Sequence, residues 1–205
     1  PQDLVNLVNA VNALRAKGQI LAYHDRSDGG LLAAVAEMAF AGHVGVALNV
    51  DMLVTEGDGI SDSRMETGDA KNWAQQVSAR REELTLKALF NEELGVVLQV
   101  RTAERNEVMQ TLREHGLSKF SHFIGKTRPA SSSINAGKGE LQVWRDAKAV
   151  FSAPLADLHQ VWDAVSWKIC QQRDNPANAD AEHATAGEPT DPGMQVHLTF
   201  DASDD

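Results

Sequence analysis

Residues 20–42 read ILAYHDRSDGGLLAAVAEMAFAG, and the spacing of their apolar residues changes partway along. Ile20 to Tyr23 is a short apolar segment, which predicts a buried strand. A polar string follows as far as Gly30, after which apolar residues return at helical spacing until Gly42. The pattern predicts a strand that passes through a tight turn into a helix.

Both flanks of this unit alternate between helical and strand patterns. Helices are predicted before Gly18, from Glu104 to His115 and from Leu155 to Ile169, because apolar residues recur there every three or four positions. The predicted strands cover residues 44–50, 96–100 and 120–125, a hairpin formed by 132–135 and 141–144, and a final strand at 196–200. Residues 96–125 have the length and order of a βαβ unit. The expected fold class is α+β, a mixed sheet flanked by helices.

Residues 55–87 interrupt the pattern, because they are rich in Gly, Ser and Thr and have few apolar residues before Leu84. Such a segment buries too little apolar surface to offset its ordering entropy. We expect an inserted mobile surface loop, with a helical turn near residues 73–81. The predicted organisation is one domain over 1–152, followed by a helix and an acidic linker over 153–205.

Composition excludes several classes of protein. With 42% hydrophobic residues among 205, the chain can bury a core, yet no apolar run approaches the roughly 18 residues of a membrane-spanning helix. The single cysteine, Cys170, excludes an internal disulfide framework and a multi-cysteine zinc site, and is interpreted as a packing residue. The chain begins at Pro1 without Met and ends in an acidic run, so we expect it to be part of a longer protein.

The net charge of −10 is concentrated near the carboxyl end. Residues 151–205 carry two basic and ten acidic side chains, which leaves the preceding 150 residues close to neutral. A nucleic-acid surface needs clustered Lys and Arg to displace counterions, so nucleic acid is excluded as a partner. The acidic end is interpreted as a solvated linker.

The turn between the strand and the helix is where the sequence most suggests chemistry. Gly29 and Gly30 permit a tight turn and close approach of a ligand to the main chain. Asp28 or Ser27 is placed to cap the helix, whose amino-terminal N–H groups favour phosphate. Asp25 lies beyond that end, where one carboxylate oxygen can bind Mg²⁺ while phosphates supply others.

The same pattern also fits an ordinary capped turn without a ligand. It lacks the Gly-Lys-Ser/Thr ending of a Walker loop and is not a Rossmann fingerprint. Other candidates are weaker: His24 is interpreted as a satisfied polar residue, and the adjacent Glu92 and Glu93 as solvated carboxylates at a helix end. No nucleophile can be identified.

Three stretches together resemble the large, single-chain phosphoribosylformylglycinamidine synthases of purine biosynthesis. They are Tyr23–Leu31 together with Ala36–Gly42, then Leu89–Gly95, and then the segment from Arg173 to His183, and they occur in the same order as in that family. The resemblance covers residues 3–54 and 88–200, and the last stretch is similar to the join with the glutaminase domain.

This resemblance implies the last domain of the synthetase part, similar to the C-terminal domain of aminoimidazole ribonucleotide synthetase. It implies a cytoplasmic ligase that uses ATP and glutamine to convert formylglycinamide ribonucleotide to its amidine. Asp25 would be a metal ligand and Ser27 a nucleotide contact in a Mg²⁺ and ATP or ADP site, with Asp28, Gly29 and Gly30 as weaker candidates. The implied partners are the remaining domains of the same polypeptide, which would complete the site.

Two alternatives remain open. One is another synthetase of the same superfamily, of the selenophosphate or thiamine-phosphate type, although those shorter enzymes have no glutaminase linker like residues 173–183. The other is a purely architectural module in which the turn only caps a helix.

Residues 55–87 have no counterpart in the family, and the nucleotide site could be catalytic or structural.

Overall fold

The computed structural model describes residues 2–55, 70–128, 139–188 and 197–200. Its elements in chain order are α1 (Gln2–Ala16), β1 (Ala22–Asp25), α2 (Gly30–Gly42), β2 (Gly45–Asn49), α3 (Asp51–Thr55), α4 (Ala70–Phe90), β3 (Val96–Gln99), α5 (Arg105–Glu114), β4 (Gly125–Arg128), β5 (Glu140–Arg145), β6 (Lys148–Pro154), α6 (Leu155–Arg173) and α7 (Pro176–Ala186). Short 3₁₀ turns lie at Thr102–Glu104 and Ser118–Phe120. The α+β fold class is confirmed.

The strands form two separate sheets. One has four strands in the order β4-β2-β5-β6, with β2 and β5 parallel and the other neighbours antiparallel. The other is the antiparallel pair of β1 and β3, in which Asp25 lies opposite Val96. The predicted βαβ unit is therefore wrong, because β3 pairs with β1 while β4 joins the other sheet.

Apolar side chains of the described residues gather in two clusters. The larger joins α2, α3, α4 and the four-stranded sheet to the start of α6, and the smaller joins α1 to α5. The larger contains Leu31, Val35, Ala39, Phe40, Leu48, Val50, Val54, Leu89, Leu141, Val143 and Leu155. Leu155, three residues beyond the predicted boundary at 152, therefore packs into this core. That boundary remains a prediction.

The predicted loop over 55–87 is wrong for residues 70–87, which belong to the 21-residue helix α4. Residues 56–69 lie outside the described part of the chain. Apolar periodicity does not indicate this helix, because its sequence has few apolar residues. Leu84 and Leu89 pack on the larger cluster, and Thr85 is buried beside them. Its frequent Ala, Arg, Glu, Leu and Lys residues favour a helix through intrinsic propensity instead.

Two further strand predictions differ from the structure, and a third falls on residues that the structure does not describe. Residues 118–120 form a 3₁₀ turn, and the strand begins only at Gly125, the last residue of the predicted strand 120–125. The antiparallel hairpin partner of β5 is β6, whereas residues 132–135 lie outside the described ranges. Residues 197–200 are not a strand, and residues 176–186 of the predicted linker form α7.

None of the described helices is both long and apolar enough to cross a bilayer.

Candidate functional site

The turn between β1 and α2 forms an exposed corner of the molecule. Gly29 and Gly30 both have positive φ, at 78° and 70°, and the Gly30 N–H donates to the carbonyl oxygen of Ser27 at 2.9 Å. A Cβ on Gly30 would lie 2.7 Å from the carbonyl carbon of Phe90 at the end of α4. Glycine is therefore required at position 30 for both conformation and close packing.

Residues 93–95 pack against this corner through Arg26. The Arg26 Nε donates to the carbonyl oxygen of Glu93 at 2.8 Å, and the guanidinium lies 3.0 Å from the Glu93 carboxylate. The backbone N–H of Arg26 donates to the carbonyl oxygen of Gly95 at 2.8 Å. Glu93 is exposed, as its interpretation as a solvated carboxylate requires, but Arg26 also binds both its backbone and its side chain.

The amino-terminal end of α2 is capped from a distant part of the chain. Oε1 of Glu92 accepts a hydrogen bond from the Gly29 N–H at 2.9 Å. The predicted cap by Asp28 or Ser27 is wrong, because Gly29 occupies the cap position and no side chain of the turn caps the helix. A carboxylate thus lies at the positive end of the helix dipole, so a phosphate there would have to use other donors.

Asp25 and Ser27 both lie exposed on the corner. The Tyr23 hydroxyl donates to Oδ1 of Asp25 at 2.5 Å. This hydrogen bond, together with burial and the negative charge of Asp25, raises the pKa of Tyr23 to about 12. The second oxygen of Asp25 accepts no hydrogen bond from the described residues and remains open to a ligand.

The corner fits a magnesium ion only if most ligands come from elsewhere. Within the described ranges, no group of three His, Cys, Asp or Glu side chains is arranged to hold a metal. Asp25 alone would offer a carboxylate oxygen. Mg²⁺ commonly keeps several waters and binds one or two carboxylates plus phosphates, so this donor set suits a metal–nucleotide complex rather than a bare ion.

The structure brings the first two sequence stretches of the resemblance into contact. Arg26 and Gly29 from the first stretch bind Glu92 and Glu93 from the second, which lies more than 60 residues later in the chain. Sequence reasoning missed this association. The sequence offered only opposite charges as a signal, the guanidinium of Arg26 and the carboxylates of Glu92 and Glu93. The spacing of apolar residues gives no means of pairing them.

His24 is confirmed as a satisfied polar residue, since its two ring nitrogens lie 2.8 Å from the Glu37 carboxylate and 2.6 Å from the carbonyl oxygen of Asp25. Cys170 is a partly buried free thiol on α6.

The fold resembles solved structures of PurL from Thermotoga maritima. PurL complexed with FGAR aligns at a TM-score of 0.52 with 17% identity, over 75% of this chain and 20% of that one. PurL complexed with ATP aligns at 0.50 with 15% identity, over 73% and 20% of the two chains, and so does the structure of PurLQS from the same organism. The chain spans about a fifth of the length of these proteins, and at this identity the likeness concerns the fold.

A family model gives the assignment. The model described as "AIR synthase related protein, C-terminal domain" matches residues 1–134, which include every element from α1 to β4. The chain therefore belongs to the family of AIR synthase related C-terminal domains.

Proposed function

We propose that the chain is the synthetase C-terminal domain of an ATP- and glutamine-dependent ligase of the phosphoribosylformylglycinamidine synthase type. The family membership and the fold likeness to PurL support an ATP-dependent synthetase. The three sequence stretches that resemble the single-chain synthases support the finer assignment. We place the enzyme in the cytoplasm and in purine biosynthesis.

The single observation that carries the proposal is the corner itself. Asp25 and Ser27 lie exposed on one short turn, whose backbone is fixed by Arg26 and Gly29 through bonds to a second segment. A carboxylate with an open oxygen and a neighbouring hydroxyl are suited to a metal-bound phosphate. A rigid support is what a binding group needs to keep its geometry.

In the proposed complex, Mg²⁺ would neutralise charge on the nucleotide phosphates. Asp25 would bind the ion through one oxygen, while Tyr23 holds the other by its hydrogen bond. Ser27 would contact the nucleotide, and Asp28, Gly29 and Gly30 would shape the turn around it. The remaining synthetase domains of the same polypeptide would complete the site, and its glutaminase domain would supply ammonia. The isolated chain is therefore expected to be inactive.

The test is titration of magnesium and ADP or ATP into the protein that includes the partner domains. Asp25→Ala should weaken binding on the order of 10-fold or more, because it removes a contact between charged groups. Asp157→Ala, which removes another exposed carboxylate from α6, is the matched control. Unchanged affinity in the folded Asp25→Ala protein would reject the proposed site.

One observation favours the architectural alternative. Because Glu92 already satisfies the Gly29 N–H, the corner can be stable without any bound anion. An Asp25→Ala protein that folds and keeps full nucleotide affinity would support this alternative over a ligand role.

A further inference from the structure

One face of α6 is left exposed in the described part of the molecule. On another side of the helix, Oδ2 of Asp163 lies 2.8 Å from Nδ1 of His183 on α7. On a third side, the ring of His159 stacks on Phe40 of α2. The remaining face is formed by a row of five exposed residues, Asp157, Val161, Val165, Ile169 and Arg173.

This row is a continuous ridge with opposite charges at its ends. Its members follow one another at intervals of four residues, which aligns their side chains along a helix. A carboxylate begins the ridge and a guanidinium ends it, about 24 Å away along the helix axis. Between them lie three apolar side chains, Val161, Val165 and Ile169, each more than half exposed.

Both charged groups can take a further partner. The Asp157 carboxylate makes no hydrogen bond or ion pair with any described residue. Arg173 donates to Asp174 through Nε and Nη2, which leaves its Nη1 for another acceptor. The helix dipole favours an acid in the first turn and a base in the last, but it does not account for the exposed apolar residues between them.

The ridge is complementary to itself in an antiparallel arrangement. Helices whose rows of residues at intervals of four interdigitate cross at about −50°, the commonest class of helix packing. If a two-fold axis passes at Val165, then Val161 of one copy lies beside Ile169 of the other. At each end Asp157 of one copy lies beside Arg173 of the other. Apolar groups thus meet apolar groups, and each acid meets a base.

We propose that this ridge is a docking surface for a second copy of the chain, in an antiparallel pair of α6 helices about a two-fold axis at Val165. A parallel pair would instead bring like charges together at both ends. One pair of 19-residue helices is a small interface compared with the roughly 1,200–2,000 Å² of stable complexes, so the dimer should be weak and reversible. The inference does not involve the Asp25 site, so it can stand or fail independently of the proposed function.

The first experiment reverses the charges at the two ends of the ridge and measures association of the 205-residue chain by sedimentation velocity. Asp157→Lys and Arg173→Glu should each weaken dimerisation on the order of 10-fold or more, because two exposed attractive pairs become two repulsive pairs. An equimolar mixture of the two variants should dimerise again. In the mixed dimer the two introduced charges attract each other at one end, and the native pair remains at the other.

Two control variants change the net charge equally at exposed positions outside the ridge. Glu182→Lys on α7 and Lys148→Glu on β6 should leave dimerisation unchanged, alone or mixed. Recovery in the mixture of ridge variants would also show that both are folded. Ridge variants that dimerise like the wild type, or a mixture that stays monomeric, would overturn the proposal. So would a wild-type chain that is monomeric at every concentration, which would favour another domain of a longer polypeptide as the occupant.

The second experiment tests the position of the two-fold axis by oxidative cross-linking in a Cys170→Ser background. Val165→Cys should form a disulfide-linked dimer, because residues at the axis bring their Cα atoms within the roughly 7 Å that a disulfide needs. Val161→Cys is the matched control, since its two copies would lie about 12 Å apart along the helix axis. Cross-linking at 161 as efficient as at 165, or none at 165, would overturn the antiparallel arrangement.

Discussion

Two glycines with nearly the same φ angle lie in different surroundings. Gly18 and Gly30 have φ of 66° and 70°, but a Cβ on Gly18 would meet nothing within 4 Å, whereas on Gly30 it would meet the backbone of Leu89 and Phe90. Conformational strain therefore acts at both positions, and a steric clash at one alone.

We expect Gly18→Ala to lower the free energy of unfolding by about 1–2 kcal/mol, the cost of a left-handed alanine. Gly30→Ala should cost about 1–3 kcal/mol more, because α4 must move away from α2. Urea unfolding of both variants measures the difference. Equal losses of unfolding free energy would mean that α2 and α4 can move apart at little energetic cost.

The titration of Tyr23 reports on its hydrogen bond to Asp25, since Tyr23 is the chain's only tyrosine. Its hydrogen bond to Asp25 raises its pKa to about 12, compared with 10.0 for an unperturbed phenol. In Asp25→Asn we expect absorbance of the phenolate to appear at lower pH, while Asp28→Asn should leave it unchanged. Identical titrations in all three proteins would contradict the bond.

The sign of the stability effect follows from this raised pKa. Because the folded protein binds the phenolic proton more tightly than the unfolded chain, the contribution to stability is complete below pH 10. It is lost as pH rises through about 12. Asp25→Asn should therefore reduce the alkaline dependence of stability, which unfolding curves at several pH values can measure.

At this scale the sequence predicted the turn but not how the turn is supported. Gly29 and Gly30 were identified as a turn, and both have the left-handed conformation that makes glycine necessary. The cap was assigned to Asp28 or Ser27, because sequence reasoning considers neighbours along the chain first. Glu92, the carboxylate that binds the Gly29 N–H, comes from another element.

Among the elements, α4 is attached to the hairpin of β5 and β6 by a cluster of charges. Arg81 donates two hydrogen bonds to Asp146, at 2.7 and 3.2 Å, and Nε of Arg145 lies 3.5 Å from the same carboxylate. Both arginine side chains are largely buried, at 18% and 15% exposed. The negative charge of Asp146 thus offsets the positive charges of two guanidinium groups that are largely shielded from solvent.

We expect Asp146→Asn to lower the free energy of unfolding by about 1–3 kcal/mol, because it weakens hydrogen bonds between charged groups. Asparagine tolerates the positive φ of this turn, so the backbone should not change. Asp174→Asn, whose partner Arg173 is exposed, should change stability little. Chemical denaturation of the two variants makes the comparison, and equal effects would mean that burial of the arginines adds nothing.

Periodicity predicted α1, α2, β2, β3, α5 and α6, because each has an apolar face or a short apolar run. It failed for α4, in which the buried residues among those whose burial is described, 78–90, are Thr85 and Leu89. It also failed for strand pairing, since neither Val97 nor Leu141 carries any local sign of its partner. That β1 pairs with β3, and β2 with β5, depends on how the whole chain packs.

The molecule as a whole leaves apolar side chains uncovered on α6. Val161 and Val165 are 74% and 70% exposed, and Trp162 and Ile169 more than half exposed. The sequence predicted this helix by its apolar stripe, but among the described residues only the start of the stripe, at Leu155, is buried. An apolar patch of this kind favours association.

We expect the 205-residue chain alone to self-associate as its concentration rises. Val165→Asp should shift the equilibrium toward monomer, because it places a charge in the apolar patch. Asn178→Asp adds the same charge at an exposed polar position on α7 and should not. Sedimentation velocity at several concentrations distinguishes them, and a wild-type chain that stays monomeric throughout would contradict the expectation.

The strand order also bears on synthesis at the ribosome. β2 lies between β4 and β5 in its sheet, and both partners follow it by more than 70 residues along the chain. During translation β2 therefore leaves the exit tunnel long before either neighbour exists, with both edges open to solvent or to a chaperone. Such non-local pairing slows folding, so the early segment has a long interval in which nascent chains can associate wrongly.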